Sequence, residues 1–201
     1  MTHQTAIRLR RPFRLAAWAK WLLCVTFVLL GLTRHASVQA TERQPDLAAQ
    51  VASAYVYKFA SFIDWPDDAF AQPDSPFVIG LMGADGLADV MVANLEGRQS
   101  NGRKLLVKIV HPGDSLLGIH MLYLGNLPKP DLAAIYARLK GRPVLTITES
   151  AEAFALGSMI NLVLADDRLR FEIALTAVGA SRLKVSALML AAAYRVKRGG
   201  T

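Results

Sequence analysis

The chain has 201 residues, 53% of them hydrophobic and 19% charged, and carries a formal net charge of +7. That composition suits a globular domain and excludes a disordered or fibrous chain. The charge excess is local. The first forty residues hold six of the 23 basic side chains and no acidic one, so the remainder has 17 basic against 16 acidic residues. A nearly neutral remainder lacks the basic patch of a nucleic-acid binder, and nucleic acid is excluded as a partner.

Taken in chain order, Arg8, Arg10, Arg11, Arg14 and Lys20 form a positive segment, Trp21 to Leu32 an apolar run, and Val38-Gln39-Ala40 a small-residue processing signal. This order predicts a secretory signal peptide cleaved after Ala40, leaving Thr41 to Thr201 as an exported mature chain. The apolar run is short for a bilayer span, which favours cleavage over an uncleaved anchor. Arg10-Arg11-Pro12-Phe13 has the look of a twin-arginine signal, whereas the strong hydrophobicity behind it suits the general secretory route; the pattern leaves both routes open. Cys24, the only cysteine, lies within the run and leaves with it, so the mature chain relies on an ordinary core.

From Asp46, apolar residues at Leu47, Val51, Ala54, Tyr55, Phe59 and Phe62 predict an amphipathic helix that stops at Trp65-Pro66. Phe77 to Met82 reads as a buried strand and Asp85 to Leu95 as a helix ending at Gly97. Lys104 to Val110 is a second strand, and His111-Pro112-Gly113-Asp114 a loop into a third strand, His120 to Leu124. Pro130-Asp131 opens a helix with Leu132, Ile135, Tyr136 and Leu139 inward and Gly141 beyond its end. Val144 to Thr148 is a fourth strand, Ser150 to Leu156 a short helix, and Met159 to Ala165 a fifth strand. Asp166-Asp167 predicts a two-residue turn. Leu169, Phe171, Ile173 and Leu175 then alternate with Arg168, Arg170, Glu172 and Ala174, the pattern of a half-exposed antiparallel strand. Val185 to Val196 reads as a closing apolar helix. Strands alternating with helices, then a hairpin, define an α/β class: a three-layer domain whose mostly parallel sheet has an antiparallel C-terminal hairpin.

Several motifs could carry chemistry. Gly113-Asp114-Ser115-Leu116 matches the signature of one serine esterase family, but a serine nucleophile needs a base and oxyanion donors. No histidine follows His120, and His111 is separated from Ser115 by a turn, so the block reads as a turn with Asp114 or Ser115 as a cap. Gly80-Leu-Met-Gly83-Ala-Asp-Gly86 lies where a strand meets a helix, a place that can hold phosphate, yet its spacing misses the dinucleotide fingerprint and Asp85 would repel an anion. Tight-turn glycines are the simpler account. Asp64, Asp67, Asp68 and Asp74 surround Trp65-Pro66 without a histidine nearby, which predicts a solvated loop rather than a metal site. No catalytic, cofactor or metal set emerges. The methionines Met82, Met91, Met121, Met159 and Met189 fall on predicted core faces.

With the signal, the block Tyr55-Val-Tyr57-Lys58-Phe59-Ala60-Ser-Phe62-Ile63-Asp64-Trp65-Pro66 and the later blocks aligned, the chain resembles the YfiR-like family of exported bacterial proteins over Val51 to Val196. Other carriers are Phe77-Val-Ile-Gly80 with Gly83, Asn101-Gly102-Arg103, Leu122-Tyr-Leu-Gly125, Gly141-Arg142-Pro143-Val144-Leu145-Thr146, Gly157-Ser-Met159-Ile160-Asn161-Leu162 and Arg170-Phe171-Glu172-Ile173. The resemblance implies regulation rather than catalysis. It implies a periplasmic repressor that binds the periplasmic sensing domain of an inner-membrane diguanylate cyclase until an outer-membrane lipoprotein captures it. It also implies a homodimer. Two departures stand out: the mature chain lacks the cysteines that form disulfides in some members, and it has Ala174 and an apolar run Ala187 to Ala193 where polar residues are common. A periplasmic small-ligand sensor using the Gly80–Gly86 strand end is the second reading, and an esterase the third.

The regulatory surface is expected on the C-terminal hairpin and helix. Leu169 to Leu175 offers a polar face and a sheet edge, and the helix Ser186 to Tyr194 is apolar around more of its circumference than one buried stripe requires. Arg170, Glu172 and Ile173 are the expected contacts on the strand, Leu188 and Tyr194 the apolar anchors, and Trp65 the next surface.

Overall fold

The computed structural model describes residues 39–95 and 97–199, with side chains described from Leu47 onward. The predicted signal peptide as far as Val38, with Cys24 and the twin-arginine pair, lies outside the described residues, while Gln39 and Ala40 belong to the first helix. By contacts the chain separates into Met1–Gln44 and Pro45–Thr201, and the second unit carries the fold described below.

Helix α1 (Gln39–Phe62) leads into a two-residue strand β1 (Ile63–Asp64) and a 3-10 turn at Asp67–Ala69. The helix ends at Phe62, ahead of the Trp65-Pro66 stop that the sequence marks, because Ile63 and Asp64 pair with Val185 and Lys184. Then come β2 (Phe77–Met82), α2 (Asp85–Leu95), β3 (Gln99–Ser100), β4 (Arg103–Ile109), β5 (Met121–Leu124), α3 (Lys129–Leu139), β6 (Leu145–Thr148), α4 (Ala151–Leu156), β7 (Ile160–Ala165) and β8 (Arg168–Ala174). The chain ends through α5 (Leu175–Ala180), β9 (Lys184–Val185), α6 (Ala187–Ala192) and β10 (Arg195–Lys197). One sheet takes the order β10-β8-β7-β6-β5-β2-β4-β3, and β1 pairs separately with β9. Strands β7, β6, β5, β2 and β4 are parallel, while β8 is antiparallel to β7. This is the α/β class that the alternation of strands and helices implies.

The side-chain period of two sorts residues to opposite faces of the sheet. Ile79, Leu81, Met121, Tyr123, Leu145, Ile147, Ile160, Leu162, Phe171 and Ile173 join one buried cluster with Val56 and Phe59 of α1 and Leu87 and Met91 of α2. Met82, Leu122 and Leu124 join the other, with Leu132, Ile135 and Leu139 of α3 and Ala153 of α4. Strands buried on both faces must be apolar throughout, hence the near-continuous runs at β2 and β5. Asp166 and Asp167 both have positive φ, +51° and +56°, the backbone of a two-residue hairpin turn, and this sets the β7–β8 register.

The C-terminal segment departs from the sequence reading. Val185 to Val196 is not one helix: Val185 pairs with Ile63, α6 lasts six residues, and Arg195–Lys197 forms a strand parallel to Glu172–Ala174. The reason is competition for backbone groups. The Ser186 N–H donates to the Phe62 carbonyl at 3.0 Å and the Tyr194 N–H to the Phe171 carbonyl at 2.8 Å, so an open strand edge captures bonds that a longer helix would have closed internally. Leu175 likewise leaves the strand to start α5. As a result β8 is not a free edge along Glu172–Ala174, because β10 covers it.

Candidate functional site

The hairpin β7–β8 brings Asn161 opposite Glu172 and Val163 opposite Arg170. Glu172 is 7% exposed, and its Oε2 accepts from Asn161 Nδ2 at 3.1 Å. Its Oε1 lies 3.1 Å from Arg195 Nη1 on β10. A buried carboxylate needs such partners to avoid an uncompensated desolvation cost. Glu172 is therefore a staple that holds the last strand to the sheet, not the exposed contact expected from alternation. Ile173 is 0% exposed and belongs to the core, so it offers nothing to a partner in this conformation.

Arg170 and Tyr194 do reach the surface together. The Arg170 guanidinium lies 5.5 Å from the Tyr194 ring centroid and 3.3 Å from Asp166, while Arg195 approaches the same ring at 5.8 Å. Tyr194 is thus an exposed aromatic attended by two cations.

Leu188 lies elsewhere. Phe171 points to the face opposite Arg170 and Glu172, where it meets Tyr55 and Phe59 of α1 at ring separations of 5.5 and 5.1 Å. Tyr55 Oη also donates to the Leu169 carbonyl at 2.9 Å, which fixes α1 over β8. Beside these rings, α1 and α6 leave an open groove of about 430 Å³ lined by Val51, Ala54, Phe62, Leu188, Met189 and Ala192 among others. Met189 is buried beneath it, whereas Leu188 is 70% exposed on its wall. An exposed leucine beside an apolar groove is the kind of surface that a partner covers.

Trp65 joins neither feature. Its Nε1 donates to the His120 carbonyl at 3.3 Å and its ring packs edge-on against Phe77 at 4.8 Å, placing it at the amino ends of β2 and β5. There the His120 ring stacks on Phe70 at 4.3 Å, accepts the Val78 N–H at Nδ1 and faces the Ala69 carbonyl with Nε2, each at 3.1 Å. The Nδ1 acceptor assigns the proton to Nε2. Burial, with a smaller push from the Arg103 charge and against the Ala69 hydrogen bond, holds the His120 pKa below its ordinary value.

In the serine block, Ser115 Oγ accepts the Leu117 N–H at 3.3 Å. His111 turns to Asp114, whose Oδ2 accepts the His111 N–H at 2.8 Å and lies 3.5 Å from Nδ1. The block is an exposed turn in which histidine and serine are engaged separately. Asp68 of the acidic loop pairs with Arg182 at 2.8 Å.

Sequence reasoning missed Asn161, Arg195 and the α1–α6 groove. The Asn161–Glu172 pair was legible in principle, since a two-residue turn at Asp166-Asp167 dictates which positions face each other. Arg195 was not, because its role depends on where the last strand docks.

These features define an α/β domain with an open apolar groove beside α1 and α6 and an arginine–tyrosine cluster on the other side of β8. The chain matches the YfiR/HmsC-like family model over residues 49–194, and it belongs to that family. The family is regulatory rather than enzymatic and is tied to cyclic-di-GMP signalling.

Proposed function

We propose that this protein is exported to the periplasm and represses an inner-membrane diguanylate cyclase by binding the cyclase's periplasmic sensing domain. An outer-membrane lipoprotein would release that repression by capturing the protein, and the working form would be a homodimer. The family supports regulation of this kind. The observation in the structure that carries the choice of surface is the α1–α6 groove with Leu188 on its wall. An apolar segment of the cyclase domain would fill the groove, and Arg170, Tyr194 and Arg195 across the sheet edge would add polar specificity.

The test is Leu188→Asp, made in a strain whose cyclase is intact. Cyclic-di-GMP should rise toward the level of a strain lacking this protein, with periplasmic abundance unchanged. A normally abundant variant that still represses fully would remove the groove from the mechanism. Processing is checked on the same material: mass spectrometry should find Thr41 as the first residue, and an intact Met1 on membrane-bound protein would overturn export with cleavage.

A further inference from the structure

Strands β2 and β5 are adjacent and parallel, but the chain leaves them in opposite directions across the sheet. From β2 it passes through α2 to β4 on one side, and from β5 through α3 to β6 on the other. At the carboxyl ends of such a diverging pair the connections part, and open α/β sheets place ligands in the crevice between them. Here that crevice has a volume of about 540 Å³, within the range that takes small molecules.

Its shape depends on two glycines. A Cβ on Gly125 would sit 2.0 Å from the Gly83 carbonyl oxygen, and Gly83 itself holds φ +65°, so the two strand ends approach as only glycines allow. Gly86 on the rim faces open space, where an added Cβ would meet nothing within 4 Å.

The charged side chains on the crevice lining are of one sign. Tyr123 is 2% exposed, and its hydroxyl donates to Glu149 at the crevice wall. Burial first, and then the Glu149 carboxylate, push the phenol pKa up, so the tyrosine keeps its proton and remains a donor. Asp85 lines the same crevice, and the lining contains no lysine, arginine or histidine. Among the described residues, neither carboxylate has a basic partner. Ala48, Ala49, Ala84 and Leu87 supply an apolar floor.

We infer that this crevice is a binding site for a small molecule carrying a protonated amine on a short apolar body. Glu149, oriented by Tyr123, takes the ammonium; Asp85 adds negative potential; the alanines and Leu87 take the hydrocarbon. The site is separate from the α1–α6 groove, so its test does not depend on the repression assay.

Butylamine and putrescine are titrated calorimetrically into the purified protein at millimolar concentration, with butanol as the uncharged control. Saturable one-to-one binding of an amine is expected, with butanol binding at least about tenfold weaker, the loss of roughly one charge-assisted hydrogen bond. Glu149→Gln and Gly86→Leu should each weaken amine binding by at least about tenfold. The second variant projects a side chain into open space and keeps the test intact if the first fails to fold. Absence of saturable amine binding, equal binding of butanol, or undiminished affinity in a folded variant would each overturn the site.

Discussion

Arg195 Nη1 lies 3.1 Å from Glu172 Oε1, joining a strand of three residues to the hairpin that precedes it. The pair is asymmetric, with the carboxylate inside and the guanidinium mostly in solvent. An exposed ion pair contributes little, but here the arginine also satisfies a carboxylate that has left water. The staple and the backbone bonds of β10 together close part of the sheet edge that a partner could otherwise extend.

Removing the arginine alone should therefore cost more than removing both charges. Arg195→Ala is expected to lower stability by about 1–2 kcal/mol, and Glu172→Gln with Arg195→Ala by less than Arg195→Ala alone. Urea denaturation of the four proteins in a double-mutant cycle measures the coupling. Hydrogen exchange should show Arg195–Lys197 opening first in Arg195→Ala; an unchanged exchange pattern would mean that the backbone bonds alone hold the strand.

Leu188 and Met189 are consecutive on α6 but differ in what they touch. Leu188→Ala should change stability by no more than about 0.5 kcal/mol, since its side chain is mostly in water. Met189→Ala removes a buried side chain from the core and should cost about 2–4 kcal/mol. Thermal melts compare them directly, and equal losses would show that Leu188 is covered in solution.

Acid should loosen the Trp65–Phe70 end of the sheet. His120 binds a proton less readily when folded than when unfolded. Between the lowered folded value and the ordinary 6.5, the unfolded chain holds more protons, so stability rises with pH. The contribution is full above 6.5 and is lost as pH falls through the folded value. Protonated Nδ1 could no longer accept the Val78 N–H. His120→Phe should flatten that part of the stability profile. Asp114, lowered chiefly by the His111 N–H hydrogen bond, acts in a separate window: its contribution is lost only as pH falls below 3.8. An unchanged slope below pH 6.5 in His120→Phe would assign the effect to another group.

Gly125 and Gly86, both on the crevice, should respond oppositely to a methyl group. Gly125→Ala forces a Cβ against the Gly83 carbonyl and is expected to cost at least about 2 kcal/mol. Gly86→Ala meets open space within α2 and should be neutral or stabilising by up to about 1 kcal/mol. Denaturation midpoints rank the pair, and a tolerated Gly125→Ala would show that the strand ends can separate.

By itself the sequence determined the elements whose hydrophobic period is strong. Phe77–Met82 and Asp85–Leu95 stand where the pattern puts them, because burial on both faces makes a strand apolar throughout and burial on one side gives a helix a stripe. The turn at Asp166-Asp167 was equally legible, since few residues accept positive φ at two consecutive positions. The family was also legible, from blocks whose order spans most of the chain.

Only the tertiary structure decided the fate of Lys184 to Lys197. Its apolar composition suits a helix, but the edge of β8 and the end of β1 offered backbone partners, and captured backbone bonds outweigh a propensity of a few tenths of a kcal/mol per residue, about what separates ordinary residues in a helix. The same capture buried Glu172 against Arg195, left Leu188 outside, and put Arg170 and Leu188 on opposite sides of β8. Alternation along β8 tells which residues share a face. Which face meets solvent, and which is covered by α1, α6 or β10, depends on contacts between segments more than a hundred residues apart, such as Tyr55 with Leu169.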